Sequence, residues 1–185
     1  MAISNQVDSM LQEIVRRVRS LEEENARLRE ELRIDHLTGI FNMLAFKERV
    51  EESRYPGYYV FADGDGMGRL NKHPDYGHDR VNGYIKEFGN WLRTETRAIR
   101  DGYTGEERRV RPVMADAIAV RKHGDEFLVW CSSRRGAVRI RNAIRRWRSA
   151  DGVVTFSSGM GKCIKSADAN CTAWKERVRK CGNSF

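Results

Sequence analysis

A heptad repeat near the N-terminus constrains this chain more than any other feature of its sequence. Apolar residues recur at alternating spacings of four and three between residues 7 and 32, which is the a/d pattern of a coiled coil. The seam consists of Val7, Leu11, Ile14, Val18, Leu21, Asn25, Leu28 and Leu32. Asn25, the one polar residue at an a position, favours a parallel in-register dimer because any slipped register would bury it alone.

The residues that flank this seam favour the same interpretation. Arg17 at a g position would face Glu22 at an e position of the second chain. A helix that packs on its own domain usually has a wider apolar stripe than this strict a/d seam. A leucine-zipper DNA-binding protein is disfavoured, because Asp8 would face phosphates where such proteins carry a basic helix. We therefore predict a parallel homodimer through residues 7–32, with residues 1–34 as its dimerisation helix.

After residue 34 the pattern changes to short apolar segments that alternate with segments of helical spacing. The strand-like segments are GYYVFAD, DAIAVRKHGDEFLVWC, which contains two strands and a tight turn, and GVVTFSSGMG. Helical spacing marks NMLAFKERVEES, DRVNGYIKEFGNWLRTETRAI, RGAVRIRNAIRRWRS and ADANCTAWKERVRKCG, the last of which Gly182 is expected to end. We predict one α+β domain over residues 35–185, with one sheet covered by helices.

Composition narrows the protein class further. No run of eighteen apolar residues is present, so no membrane span is expected, and the first residues lack the plan of a signal peptide. We therefore expect a cytoplasmic protein with no membrane partner. The four cysteines form no CxxC pair, which favours reduced packing residues over a zinc site. The formal net charge of +8 favours an anionic partner, but it does not separate a nucleotide from a nucleic acid.

Two acidic clusters are candidates for a metal site. The first, DGDG, directly follows a predicted strand. It fails as a calcium loop counted from Asp63, because position 5 is Met67 and position 12 is Pro74. The second, Asp125 with Glu126, lies in the predicted tight turn. Strand ends can gather such carboxylates at one sheet edge, where they repel unless a divalent cation neutralises them. The alternative at this point is a solvated acidic turn.

Six motifs, in order along the chain, resemble those of the GGDEF family, the diguanylate cyclases. They are DHLTGIFN at 35–42, Asp63 with Leu70 and Asn71, GHDRVN at 77–82, HGDEF at 123–127, SSGMG at 157–161, and a closing segment from Ala167 to Asn183. The resemblance implies a nucleotidyl-cyclase fold related to the polymerase palm, with a mainly antiparallel central sheet. It also implies a nucleotidyltransferase that condenses two GTP molecules into cyclic di-GMP and releases pyrophosphate.

The resemblance also assigns roles to individual residues. It implies that Asp63, Asp125 and Glu126 are catalytic and, with the main-chain carbonyl of Gly64, hold two Mg²⁺ or Mn²⁺ ions, with Asp65 assisting. The substrate-binding residues that it implies are Asn71, His78, Asn82, Lys175 and Arg179. Lys175 and Arg179 stand at i and i+4 on one helix face, where both can reach a triphosphate. Because one domain holds one GTP, the dimer belongs to the mechanism.

Departures from the family pattern keep alternatives open. Asn82 stands where the family has its guanine-reading aspartate, and an amide can also pair with adenine, so ATP or a mixed product is an alternative. A degenerate GGDEF domain that only binds a nucleotide is a second alternative. The segment 134–149 carries seven arginines, for which a solvated face is favoured over a nucleic-acid contact.

Overall fold

The computed structural model describes residues 2–52, 56–101 and 117–180. The chain divides into two units, Met1–Ile34 and Asp35–Phe185. Gly182, the residue expected to end the last helix, lies outside the described residues.

The first unit is one long helix, α1 (Ala2–Glu31). Six apolar seam residues are 43–64% exposed: Leu11, Ile14, Val18, Leu21, Leu28 and Leu32. The Asn25 amide donates a hydrogen bond to the Leu21 carbonyl of the same helix at 2.9 Å. Within the described part of the chain, no helix is both long enough and apolar enough to cross a membrane. The helix thus presents an apolar stripe along its exposed surface, as the heptads predict.

A four-stranded antiparallel sheet forms the centre of the second unit, in the order β2-β3-β1-β4. The strands are β1 (Tyr58–Gly64), β2 (Ala117–His123), β3 (Glu126–Cys131) and β4 (Phe156–Gly161). Alternate residues of β1 point to opposite faces: Val60 and Ala62 join one core cluster and Phe61 joins the other. The strands match the predicted ones, and the α+β class is confirmed.

Helices cover both faces of this sheet. They are α2 (Met43–Phe46), α3 (Met67–Leu70), α4 (Gly77–Asp101), α5 (Arg134–Arg146) and α6 (Ile164–Lys180). A π-helical turn (Lys47–Glu51) continues α2, where one regular helix was predicted, and the sequence did not predict α3. The core of one face includes residues of α4 and α5, where Phe88 stacks on Phe156 at 3.7 Å. The core of the other face includes residues of α2 and α6.

The DHLTG segment has a structural role in this domain. The Asp35 carboxylate accepts hydrogen bonds from the N–H and hydroxyl of Thr38, at 2.9 and 2.7 Å, and from the Arg121 guanidinium of β2. Burial raises the pKa of Asp35, but these bonds outweigh it and leave that pKa below its usual value. Gly39 has a φ of +67°, which favours glycine in this turn. The motif therefore fastens the start of the domain to the sheet.

Close packing of α6 on β4 depends on glycine. A Cβ on Gly159 would overlap the Cys171 N–H and the Ala167 carbonyl of α6. Burial raises the pKa of the Cys171 thiol to about 12, as expected for a packing cysteine. The SSGMG segment thus lets the helix backbone lie directly on the strand, and this contact sets the position of every side chain further along α6.

Candidate active site

The acidic residues of the two sequence clusters meet at one edge of the sheet. Antiparallel pairing of β1 with β3 sets Asp63 opposite Glu126. Asp125 lies in the turn between β2 and β3, where Gly124 has a φ of +51°. The Asp125 carbonyl accepts a hydrogen bond from the Gly64 N–H at 3.2 Å. All four residues that were predicted to bind metal therefore lie at the same edge.

Gly64 permits this close approach because it has no side chain. A Cβ at this position would lie 3.0 Å from Asp125 Oδ2 and 2.7 Å from the Met67 side chain. Any other residue here would therefore displace the Met67 or Asp125 side chain from its present position.

Lys175 reaches the acidic edge from α6. Its ammonium donates to Asp63 Oδ1 at 2.5 Å and to the Gly64 carbonyl at 3.2 Å, and it lies 3.7 Å from Asp65 Oδ1. Lys175 follows Cys171 by one helical turn, so the contact of α6 with β4 directs it toward β1. The sequence predicted that Lys175 binds a triphosphate. In the structure Lys175 contacts the predicted metal ligands Asp63 and Gly64 directly.

Glu126 also contacts two basic side chains. Lys122 Nζ donates to Glu126 Oε2 at 2.6 Å, and His123 Nε2 lies 3.1 Å from the same oxygen. The pairing of β2 with β3 shifts register between Arg121 and His123, next to this contact. Lys122 was not among the predicted site residues. Its only sequence signal is a position four residues before Glu126 in the predicted hairpin.

The ionisation of Asp63 reflects this crowded environment. Burial raises the pKa of the Asp63 carboxyl above its usual value, and the neighbouring Asp125 and Glu126 carboxylates raise it further. The hydrogen bond and charge of Lys175 oppose both effects without cancelling them. The ionised form of Asp63 therefore carries an energetic cost at this site, which a divalent cation would relieve.

Asp65 has a different role from its neighbour. Oδ2 accepts from the Thr155 hydroxyl at 2.7 Å and Oδ1 accepts from the Ser157 hydroxyl at 2.8 Å. The Asp65 N–H also donates to the Thr155 carbonyl at 2.9 Å. Because both carboxylate oxygens are engaged, Asp65 ties the end of β1 to β4. That Asp65 assists at the metal site stays a prediction.

A cavity of about 720 Å³ opens beside the acidic edge. Its lining combines four basic side chains with Asp65 and Asp125, and the basic residues are Arg69, Lys72, Lys175 and Arg179. Such a concentration of donors suits the oxygens of a polyphosphate. Arg69 and Lys72 were not among the predicted site residues, because α3, which brings them to the cavity, is too short to show a periodicity.

The residues at this edge fit a magnesium or manganese ion. Asp63 and the Gly64 carbonyl already share one cation, the Lys175 ammonium, and they supply the hard oxygen ligands that Mg²⁺ prefers. Among the described residues, no three His, Cys, Asp or Glu side chains gather closely enough to hold a metal ion by themselves. An ion with one or two carboxylate ligands takes its remaining ligands from phosphates and water.

Three of the predicted substrate-binding residues, Asn71, His78 and Asn82, do not line this cavity. His78 and Asn82 are exposed in the first two turns of α4, and neither lines the cavity. Asn71 follows α3, and its Oδ1 is buried without a hydrogen-bond partner in the described part of the structure. A buried acceptor of this kind is costly unless a ligand donates to it. The cavity is thus lined by two of the predicted metal ligands, Gly64 and Asp125, and by the predicted phosphate residues Lys175 and Arg179, but not by these three.

The arginine-rich helix α5 is partly accounted for by internal contacts. Arg145 donates twice to the Ser158 carbonyl, at 3.1 and 2.6 Å, and its guanidinium lies 3.5 Å from the centre of the Trp174 ring. Burial and the nearby Arg141 lower the pKa of Arg145 to about 10. Arg135 and Arg139 are exposed, which agrees with the favoured solvated face. Nucleic-acid binding by this face stays the less favoured prediction.

No family model matches this chain, and no curated protein sequence matches it. Several solved structures are similar to this chain in fold. The diguanylate cyclase SiaD of Pseudomonas aeruginosa, in complex with its activator SiaC, is similar with a TM-score of 0.60 at 20% identity, over 94% of this chain and 69% of SiaD. The coiled coil and GGDEF domain of DgcB from Caulobacter crescentus, in complex with c-di-GMP, has a TM-score of 0.59 at 18% identity, over 96% and 95%.

The GGDEF domain of TpbB from Pseudomonas aeruginosa adds a third likeness, with a TM-score of 0.53 at 19% identity over 78% of this chain and 89% of that one. These likenesses show the fold: the chain has the architecture of a GGDEF domain preceded by a helix. They confirm the fold that the six motifs implied.

Proposed function

We propose that this protein is a nucleotidyltransferase of the diguanylate cyclase type, which joins two GTP molecules into cyclic di-GMP and releases pyrophosphate. The observation that carries the proposal is the acidic edge of the sheet, where Asp63 and Glu126 face each other beside a cavity lined by four basic residues. The fold of solved diguanylate cyclases supports the same activity.

Each residue of the site has a defined task in this proposal. Asp63, Asp125, Glu126 and the Gly64 carbonyl hold two divalent ions, Mg²⁺ or Mn²⁺. Such ions neutralise phosphate charge and lower the pKa of an attacking hydroxyl. Lys175 and Arg179 hold the triphosphate by charge-assisted hydrogen bonds. The 3′-hydroxyl of each GTP attacks the α-phosphate of the other, and pyrophosphate leaves.

The reaction requires two such sites that face each other, because each domain binds one GTP. The helix α1 supplies the dimer in this proposal. Its apolar seam is exposed within one chain, and a second copy would cover it in a parallel coiled coil. Pairing the chains raises the effective concentration of the second half-site far above that of free domains.

A second candidate is the same reaction with altered base choice. Asn82 stands where GGDEF domains have an aspartate, and its amide both donates and accepts, as adenine recognition requires. Purified protein should be incubated with GTP, with ATP and with both, and the products identified by mass spectrometry. Cyclic di-GMP alone supports the first proposal, whereas an adenine-containing product that Asn82→Asp abolishes supports the second.

Site variants test the assignment of the carboxylates. We expect Asp63→Ala and Glu126→Gln each to reduce turnover by at least about a thousandfold, because each removes a proposed ligand of the ions that stabilise the transition state. Asp168→Ala, an exposed site on α6, is the matched control and should retain full activity. Circular dichroism should show that all three variants are folded. Full activity in either site variant would overturn the metal assignment, and no product from any nucleotide would favour a binding module.

A further inference from the structure

The ammonium of Lys175 lies among oxygens that a divalent ion would use. It donates to Asp63 Oδ1 and to the Gly64 carbonyl, and it lies 3.7 Å from Asp65 Oδ1. The Lys175 side chain is 18% exposed, so this contact is held inside the site and is not a surface ion pair. An ammonium and a divalent ion carry charge of the same sign, so both cannot occupy these oxygens together.

We infer that Lys175 competes directly with the divalent cation for Asp63 and Gly64, and that the nucleotide triphosphate releases this competition by binding the displaced ammonium. The inference rests on the proposed function, since it adds a second task to a residue that the proposal places at the phosphates. Metal and nucleotide then bind cooperatively, because each ligand favours the same position of one side chain.

The cavity gives the displaced ammonium a place to go. Lys175 lines it together with Arg69, Lys72 and Arg179, the basic groups that would face a triphosphate bound in this cavity. Lys122 also pairs with a proposed metal ligand, Glu126, but it does not line the cavity. Lys175 therefore both contacts the proposed metal ligands and lines the phosphate cavity.

Arg179 provides a matched control on the same helix face. It lies one turn after Lys175 and lines the same cavity. Within the described residues it makes no hydrogen bond or ion pair with Asp63, Gly64 or Asp65. Replacing either residue by methionine removes one positive charge from the cavity, but only the change at Lys175 removes the competing ammonium. A difference between the two variants therefore measures direct competition and not the general field of the site.

The test measures Mn²⁺ binding by the full chain without nucleotide, by isothermal titration calorimetry or electron paramagnetic resonance. We expect Lys175→Met to bind Mn²⁺ about tenfold more tightly than the wild type, an ordinary magnitude for coupled sites. Arg179→Met should change the affinity by less than about threefold. In the wild type, a non-reacting GTP analogue should raise Mn²⁺ affinity, and Lys175→Met should reduce that coupling by about the same tenfold factor.

Specific outcomes would overturn the inference. Mn²⁺ affinity that is unchanged or weaker in Lys175→Met, or equal gains in both variants, would exclude direct competition. Circular dichroism must show the wild-type spectrum, and Lys175→Gln replaces Lys175→Met if methionine prevents folding. Because Mn²⁺ alone is the probe, the competition can be observed in a protein that makes no cyclic dinucleotide. The competition can equally be absent in a protein that does make a cyclic dinucleotide. Failure of the proposed function is therefore distinguishable from failure of this inference.

Discussion

Some side chains hold the elements around the site in place and are not themselves proposed to bind metal or nucleotide. Asp151 is one of the positioning residues: Oδ2 accepts from the Tyr84 hydroxyl at 2.6 Å and from Arg80 at 3.2 Å, and Oδ1 accepts from the Ser149 hydroxyl at 2.7 Å. These hydrogen bonds hold the pKa of Asp151 below its usual range, and the bond from Tyr84 has the largest effect. They fix the N-terminal part of α4, which carries Asn82, to the loop before β4.

The Tyr84 hydroxyl should contribute stability that depends on pH. Tyr84→Phe removes this donor and should lower the free energy of unfolding at pH 7 by about 1.5–3 kcal/mol, the usual contribution of a hydrogen bond to a charged group. A carboxyl whose folded pKa is lowered stabilises the protein above its unfolded value of about 4, and this stability is lost as pH falls through the folded pKa. The difference between wild type and variant should therefore shrink below about pH 4.

Urea unfolding between pH 7 and pH 2 measures this difference. Tyr76→Phe is the control, because the Tyr76 ring packs against Arg80 but its hydroxyl has no hydrogen-bond partner among the described residues. Its cost should stay within about 0.5 kcal/mol throughout. A Tyr84→Phe deficit that is constant down to pH 2 would exclude the Asp151 carboxylate as its source.

At the level of elements, the strands and long helices could be predicted from the periodicity of the sequence. The contacts between residues far apart in the chain could not. The four strands and the long helices follow from alternation and helical spacing, and the β2–β3 turn follows from its glycine. The role of Asp65 could not be predicted, because its partner Thr155 is 90 residues away and only the register of β1 with β4 joins them. The Lys175 contact depends on the same packing, since α6 must lie directly on Gly159 for the lysine to reach Asp63.

The contact of α6 with β4 should tolerate no side chain at Gly159. Gly159→Ala places a Cβ on the backbone of α6, so we expect a loss of at least about 2 kcal/mol of unfolding free energy. Gly83→Ala is the matched control: Gly83 lies in α4 with no atom within 4 Å of the added Cβ. Alanine there should stabilise the helix by about 0.5–1 kcal/mol. Thermal and urea unfolding measure both changes, and equal effects of the two substitutions would refute the close packing of α6.

The whole molecule combines two units whose proposed tasks depend on each other. The helix α1 carries an exposed apolar seam, and the second unit carries the acidic edge and the cavity beside it. Joining two nucleotides symmetrically requires two such cavities. Sequence alone predicts the seam because heptads are local, and Asn25 further favours a parallel pair. The activity of the domain should therefore depend on the state of a helix that contributes none of its proposed catalytic groups.

Breaking the seam should change the dependence of the rate on protein concentration. Val18→Glu places a charge at an a position that the proposed dimer would bury in both chains, so we expect light scattering to show a monomer at micromolar concentration. Ser20→Glu adds the same charge at an outward c position and should stay dimeric. Because two free domains must then meet for each turnover, the rate of Val18→Glu should rise with the square of its concentration, whereas the wild type and Ser20→Glu should show a linear rise. At about 1 μM the variant should be slower by a factor of at least about a hundred, since a short linkage supplies an effective concentration in the millimolar range. A monomeric Val18→Glu variant with a linear, undiminished rate would show that one domain suffices, and the proposed reaction between two facing sites would have to be abandoned.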